Sequence, residues 1–377
     1  MSNNRKISGW KDKTLFTPGP LTTSRTVKQA MWRDLGSRDF EFIGLVQKIR
    51  QQLLELGEVA DQGYEAILMQ GSGTFGMEAI ISSVTPPNGK WLLIINGAYG
   101  RRMAQITSIY DMPTTRLDYP EDRQPDLHQI EAALAADERI TNVAVVHCET
   151  TSGIINPIKE IGAIVRRFGK RYFVDAMSSF GAVALNLAEC EIDYLVSSAN
   201  KCVESVPGFA VILARREALL ETEGYARTLS LNLFAQWKGL ERNGQFRFTP
   251  PTHTLIAFAQ ALDELQQEGG VAGRAARYKH NYEVMQAGMR EMGFTEYLRP
   301  QDQGYIITSY RYPNHPAFDF NQFYERLNQK DLVIYPGKVS DADCFRIGHI
   351  GRIFESDVRM LLAAIGETLA EMEIELK

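Results

Sequence analysis

The sequence predicts an α/β protein, with a mostly parallel central sheet flanked by helices and a smaller α+β unit behind it. Three observations carry this. Short β-rich runs alternate with helical patterns through the first two-thirds of the chain, the grammar of a layered α/β domain. The runs are continuously apolar rather than alternating, as parallel strands buried on both faces are. Near Thr249-Pro250-Pro251 the alternation stops and longer helical stretches take over.

Taken in order, the first strand is expected at Ala66 to Met69 and leads into a helical segment from Gly76 to Ser83. Trp91 to Ile95 is the second. The helical Leu127 to Ala135 precedes a third strand, Val143 to His147, and Ile158 to Phe168 is helical again. Arg171 to Val174 and Tyr194 to Ser197 follow as strands. Beyond the prolines, Thr254 to Gln267 is amphipathic and closed by Gly269-Gly270, as glycine commonly closes helices. A long helix is expected from Ala272 to Met292, then a strand within Gly304 to Tyr310 and a helix near Phe320 to Asn328. The strand Leu332 to Tyr335 and a C-terminal helix from Glu355 complete the chain. This reading divides it into an N-terminal segment with a large unit, 1–253, and a connecting helix with a small unit, 254–377.

Composition narrows the function classes. The chain has 377 residues, 44% hydrophobic and 23% charged, which excludes a mainly disordered or collagen-like protein. Its 41 Lys and Arg stand against 46 Asp and Glu, a formal net charge of -5. That balance argues against nucleic acid as a partner. Small anions are untouched by this exclusion, because a few arginines in a pocket do not show in a global sum. Cys148, Cys190, Cys202 and Cys344 form no C-x-x-C pair, so neither a disulfide framework nor a thiolate metal site is expected. The opening MSNNRKISGWKDK lacks the apolar core of a secretory signal, and runs such as Trp91 to Ile95 are too short to span a membrane. A soluble, cytoplasmic protein is expected.

Gly71-Ser-Gly-Thr-Phe-Gly76 matches G-x-G-x-x-G, follows a strand and opens a helix. A dinucleotide site would also want an acidic residue ~20 positions on, to hold a ribose hydroxyl. The stretch in question, Ile95 to Tyr110, holds none. What survives is a glycine turn at a helix N-terminus, where free N–H groups, the helix dipole and the Ser72 and Thr74 hydroxyls suit a phosphate. Lys201 leaves the end of a buried strand, where desolvation lowers an amine's pKa and favours Schiff-base chemistry. Asp175 ends another strand, 26 residues earlier. Open α/β sheets bind ligands at such strand ends. A phosphate cradle, an imine-forming amine and an acid for a pyridinium nitrogen are what pyridoxal 5'-phosphate requires. His147-Cys-Glu149 imitates the H-x-E of zinc deaminases, but the P-C-x-x-C partner is missing.

Longer motifs carry a resemblance that covers nearly the whole chain. They run from Leu15-Phe-Thr-Pro-Gly-Pro-Leu-Thr-Thr-Ser24 through Leu68-Met-Gln-Gly-Ser-Gly-Thr74, Asn96-Gly-Ala-Tyr-Gly100 and His147-Cys-Glu-Thr-Thr-Ser-Gly153. Val174-Asp-Ala-Met-Ser-Ser-Phe-Gly181, Asn200-Lys-Cys202, Arg247-Phe-Thr-Pro-Pro-Thr-His253, Tyr335-Pro-Gly-Lys338 and Phe345-Arg-Ile-Gly348 continue it. With these the chain resembles the class V branch of the fold-type I pyridoxal-phosphate aminotransferases, and within it those acting on 2-aminoethylphosphonate and pyruvate.

The resemblance implies that Lys201 forms the imine with the cofactor and Asp175 partners the pyridine nitrogen. It implies that Tyr99 stacks on the ring, that Thr151 meets the phenolic oxygen, and that Ser72, Gly73 and Thr74 form the phosphate cup. It further implies that Thr249 reaches the phosphate from a neighbouring subunit of a homodimer with shared active sites, and that Arg346 holds the substrate anion. Two positions depart from the family pattern. Gly36-Ser-Arg38-Asp39 stands where Trp-Asp is common, so Arg38 joins the substrate-binding candidates. Ser205 stands where glycine is usual. Both leave other amino donors open: alanine, serine or a hydroxylated aminophosphonate.

Overall fold

The computed structural model describes residues 12–376. The opening segment read above as lacking a secretory signal lies almost wholly outside them. Seven strands form the main sheet, in the spatial order Tyr64–Gln70, Phe209–Arg215, Tyr194–Ser198, Arg171–Asp175, Ile140–Val146, Lys90–Ile95, Thr114–Asp118. Phe209–Arg215 runs antiparallel to both neighbours and the remaining pairs are parallel. Six of the seven therefore point the same way. The ends of Tyr64–Gln70, Arg171–Asp175 and Tyr194–Ser198 open on one edge of the sheet.

All five expected strands of this sheet are present, each slightly longer than its apolar run. Thr114–Asp118 was not anticipated. It is an edge strand of half-exposed, mainly polar residues, so it shows no apolar run. Phe209–Arg215 was also not anticipated, although it is buried almost throughout. The chain folds straight back onto it from the turn that carries Lys201, with Ala199 N–H donating to Phe209 O at 3.3 Å.

A second sheet pairs Cys344–Gly348 antiparallel with both Ile307–Arg311 and Tyr335–Pro336. Its apolar cluster, with Met285, Met289, Phe323, Phe345 and Leu361 fully buried, is separate from that of the main sheet. Phe16 joins this second cluster, because Thr14–Leu15 pairs in parallel with Leu332–Val333. The helix Thr252–Gln267 instead buries Leu255, Phe258 and Leu262 against the main sheet's cluster. Gly269 (φ +98°) and Gly270 (φ +69°) then take left-handed backbone, which glycine tolerates, and the chain turns into Gly270–Glu291. No helix among the described residues is long and apolar enough to cross a membrane.

Candidate active site

At the strand ends lies a cavity of about 170 Å³ whose lining includes Ser72, Gly73, Thr74, Tyr99, Arg102, Asp175 and Lys201. Asp175 closes its strand with the side chain buried, and one carboxylate oxygen accepts the Met177 N–H at 2.9 Å. Burial pushes this carboxyl up to about 7. The Met177 N–H and the charges of Arg102 and Lys201 oppose the rise, while buried Glu149 adds to it. Lys201 stands three residues past Tyr194–Ser198 and donates from Nζ to the Pro18 carbonyl at 2.5 Å. Burial lowers its pKa below the usual lysine value, despite the opposing pull of Tyr99, Cys202 and Asp175. The neutral, nucleophilic amine is thereby favoured.

Tyr99 is the second residue of the helix Ala98–Ile109, and its placement is set from outside that helix. The buried Glu149 carboxylate accepts the Tyr99 and Gly100 N–H groups at 3.1 and 3.3 Å. Thr151 donates its hydroxyl to the other oxygen of Glu149 at 2.6 Å and accepts the Ala98 N–H at 2.8 Å. A buried carboxyl thus caps the helix; burial raises its pKa, and the bonds from Thr151, Gly100 and Tyr99 oppose that rise. Gly97 has no alternative here, since a Cβ would lie 2.2 Å from the Glu149 carboxyl carbon. Burial would raise the Tyr99 phenol, but Lys201, Lys338 and Arg346 outweigh it and the pKa falls.

The opposite end of the cavity is the start of the helix Gly73–Val84. Ser72 is its N-cap residue, yet makes no side-chain capping bond, so the first-turn N–H groups are not taken by their own cap. Arg102 donates to the Thr74 hydroxyl at 3.2 Å, and its guanidinium lies 4.8 Å from the Tyr99 ring centroid. An uncapped helix end with an arginine, an aromatic ring, an amine and a buried acid fit the phosphate, ring, aldehyde and ring nitrogen of pyridoxal phosphate.

The structure brings Ser72, Gly73, Thr74, Tyr99, Asp175 and Lys201 together as expected from the sequence. It places four other candidates outside the cavity lining. Thr151 is fully buried, with its hydroxyl engaged as described. Arg346 is buried beside the site and donates to Pro336 O at 3.0 Å and Thr150 O at 2.8 Å. Thr249 is exposed, and its carbonyl accepts from Gln70 at 3.2 Å. Arg38 is exposed on a separate open groove with Lys238, Arg242 and Arg247. Sequence reasoning missed Arg102 and the role of Glu149. Arg102 follows Tyr99 by three residues on one helix, so the two had to share a face. Glu149 stood within a quoted motif, but its contact with residues 99 and 100 exists only in the folded chain.

A lysine of lowered pKa and a buried acid near neighbouring strand ends, facing an open helix N-terminus, suit a pyridoxal-phosphate enzyme of fold-type I. The profile of the family described as Aminotransferase class-V matches residues 23–337. The chain belongs to that family and is a pyridoxal-phosphate-dependent aminotransferase. The 2-aminoethylphosphonate–pyruvate transaminases of Salmonella heidelberg and Salmonella typhimurium are each 50% identical to it over 353 residues, covering 93% of this chain and 96% of theirs. The ureidoglycine-glyoxylate aminotransferase of Bacillus subtilis shares the fold at 22% identity, with a TM-score of 0.90 and coverage of 99% and 96%. The pyridoxamine-pyruvate aminotransferase of Mesorhizobium loti does so at 24% identity, with a TM-score of 0.88 and coverage of 97% and 94%.

Proposed function

We propose that this aminotransferase moves the amino group of 2-aminoethylphosphonate to pyruvate, giving phosphonoacetaldehyde and L-alanine. The observation that carries the chemistry is the Lys201 amine in one cavity with buried Asp175. The choice of substrates rests on the half-identical relatives of that name. Bound pyridoxal phosphate supplies an aldehyde that takes up the amino group and a ring that absorbs an electron pair. Lys201 Nζ takes the proton from the amino-bearing carbon and returns it on the far side of the transfer. Asp175 would face the ring nitrogen, where its carboxylate would favour the protonated form. Ser72, Gly73 and Thr74 hold the phosphate through the helix N-terminus, with Arg102 beside them. Tyr99 supports the ring face, and Thr151 with Glu149 fixes the turn that presents Tyr99. Arg346 takes the substrate anion through a planar fork suited to carboxylate or phosphonate.

Thr249 is assigned to the cofactor phosphate of a second copy, which makes the working unit a homodimer. Exposed Phe248 beside it supports this reading. Arg38 is assigned to the same entrance from the neighbouring chain. Separate apolar clusters on the two sheets support a larger and a smaller unit, but the proposed division at 253/254 is crossed in both directions: Phe16 packs in the smaller cluster and the helix Thr252–Gln267 in the larger. Four buried free thiols suit a cytoplasmic setting.

The test is a panel of amino donors with pyruvate as acceptor, following alanine. Turnover with 2-aminoethylphosphonate is expected, and Lys201→Ala should abolish both it and the absorption band of lysine-bound cofactor. Silence with 2-aminoethylphosphonate but turnover with serine would transfer the reading to another donor.

A further inference from the structure

Arg346 and the turn after Tyr335–Pro336 are built as one piece. Tyr335 pairs with Arg346 across the small sheet, Arg346 Nε donates to Pro336 O, and Gly337 N–H donates to Cys344 O at 2.9 Å. The turn is then strapped to the larger unit. Ser340 N–H donates to buried Glu121 at 2.8 Å, and Glu121 pairs with Arg101 on the helix that carries Tyr99. Tyr297 adds a hydroxyl bond to Asp341 at 2.7 Å. On this held turn Lys338 is exposed, and its Nζ lies 5.7 Å from the Tyr99 ring centroid.

The charges around Tyr99 separate by task. Arg102 lies toward the helix N-terminus at Thr74, and Asp175 at its strand end. Arg346 spends its bonds on the carbonyls of Pro336 and Thr150, and neither it nor Lys338 forms an ion pair among the described residues. Lys338, beside the Tyr99 ring, and Arg346, beside that of Tyr335, thus have no salt-bridge partner among the described residues, and Arg346 feels the charges of the Tyr99 and Tyr335 phenols and of buried Glu149. A carboxylate would answer one of them, whereas a fully ionised phosphonate answers both.

We propose that Lys338 and Arg346 form a two-cation seat for the substrate's anion, and that Lys338 is the residue that selects a doubly charged phosphonate over a carboxylate. This rests on the donor assignment above and adds the residue that enforces it. Pyruvate, with one negative charge, needs only Arg346.

The test compares ethylphosphonate with propionate, which share a carbon chain, lack the amine and differ in charge. Calorimetric titration of each into the holoenzyme reads binding without turnover. Wild type should bind ethylphosphonate about tenfold tighter, the worth of one charge-assisted hydrogen bond. Lys338→Met should erase that preference while propionate binding stays within about twofold, and Lys338→Arg should restore most of it. No preference in wild type, or equal weakening of both ligands in Lys338→Met, would overturn the seat. If the preference exists and Lys338→Met erases it, yet 2-aminoethylphosphonate gives no alanine, the donor reading fails and the seat stands. If alanine forms but Lys338→Met keeps the preference, the seat fails alone.

Discussion

Asp175 would tie folding to cofactor binding if it holds the role proposed for it. An ordinary aspartate titrates near 3.8, and burial holds this one at about 7. The folded chain therefore grips this proton more tightly than the unfolded chain does. The associated stability is whole below 3.8 and is lost as pH rises through 7, where the apoprotein must bury a carboxylate with too few partners. Asp175→Asn stays neutral throughout, so the variant apoprotein should melt higher than wild type at about pH 8, by roughly 2–4 kcal/mol, and should lose that advantage by about pH 4. Pyridoxal phosphate should reverse the order at the higher pH, because a protonated ring nitrogen rewards the charge that Asn lacks. Melting curves of apo and loaded protein at the two pH values check this. A constant gap across pH would refute the account.

At the scale of elements, the long helix Gly270–Glu291 braces the turn that carries Lys201. Arg274 donates to Cys202 O at 2.5 Å, while Arg277 and Tyr278 both donate to Glu204, at 2.7 and 2.6 Å. Glu204 sits at φ +65°, a left-handed conformation that a side chain adopts reluctantly, so the turn needs such fastening. The Tyr278 hydroxyl also accepts the Gly351 N–H at 3.1 Å, three residues past the strand of Arg346. One hydroxyl thus joins the turn that carries Lys201 to the loop that follows the strand of Arg346. Tyr278→Phe should cost about 1–3 kcal/mol in denaturant titrations and lower kcat, since it strands both partners in a buried site. Unchanged stability would show that water replaces the hydroxyl.

This helix also marks the limit of what its residues disclose. Its extent was legible, Ala272 to Met292 expected against Gly270–Glu291 found. Its buried face was not, because Arg274 and Arg277 are buried through ion pairs with Glu204 and Glu268, partners that only the fold supplies. The apolar runs marked the inner strands, and Lys201, Asp175 and the glycine turn were legible because each stands at a strand end. Glu149 and Arg102 owe their roles to contacts across the fold, which no local pattern carries.

At the scale of the whole molecule, a net charge of -5 sits beside ligands that are themselves anions. Local cations settle that matter, and under the proposed dimer Arg38 and Thr249 would serve the neighbouring chain's site. Thr249 and Arg38 lie on the surface here, away from the cavity. Near Thr249, Phe248 is 45% and Leu229 73% exposed, and Arg247 links the two by donating to Leu229 O at 2.9 Å and lying 5.0 Å from the Phe248 ring. These two exposed apolar side chains would suit the contact of the proposed dimer. If a second copy covers them, breaking the contact must also withdraw Thr249 from the neighbouring phosphate. The double variant Leu229→Glu/Phe248→Glu should therefore sediment as a monomer where wild type sediments as a dimer. It should bind pyridoxal phosphate ~10-fold or more weaker, the loss of at least one hydrogen bond to a charged group. Thr249→Ala alone should weaken the cofactor by a similar factor and leave the dimer intact. The pair of variants separates the two effects: a monomer with undiminished cofactor affinity would mean that each chain completes its own site.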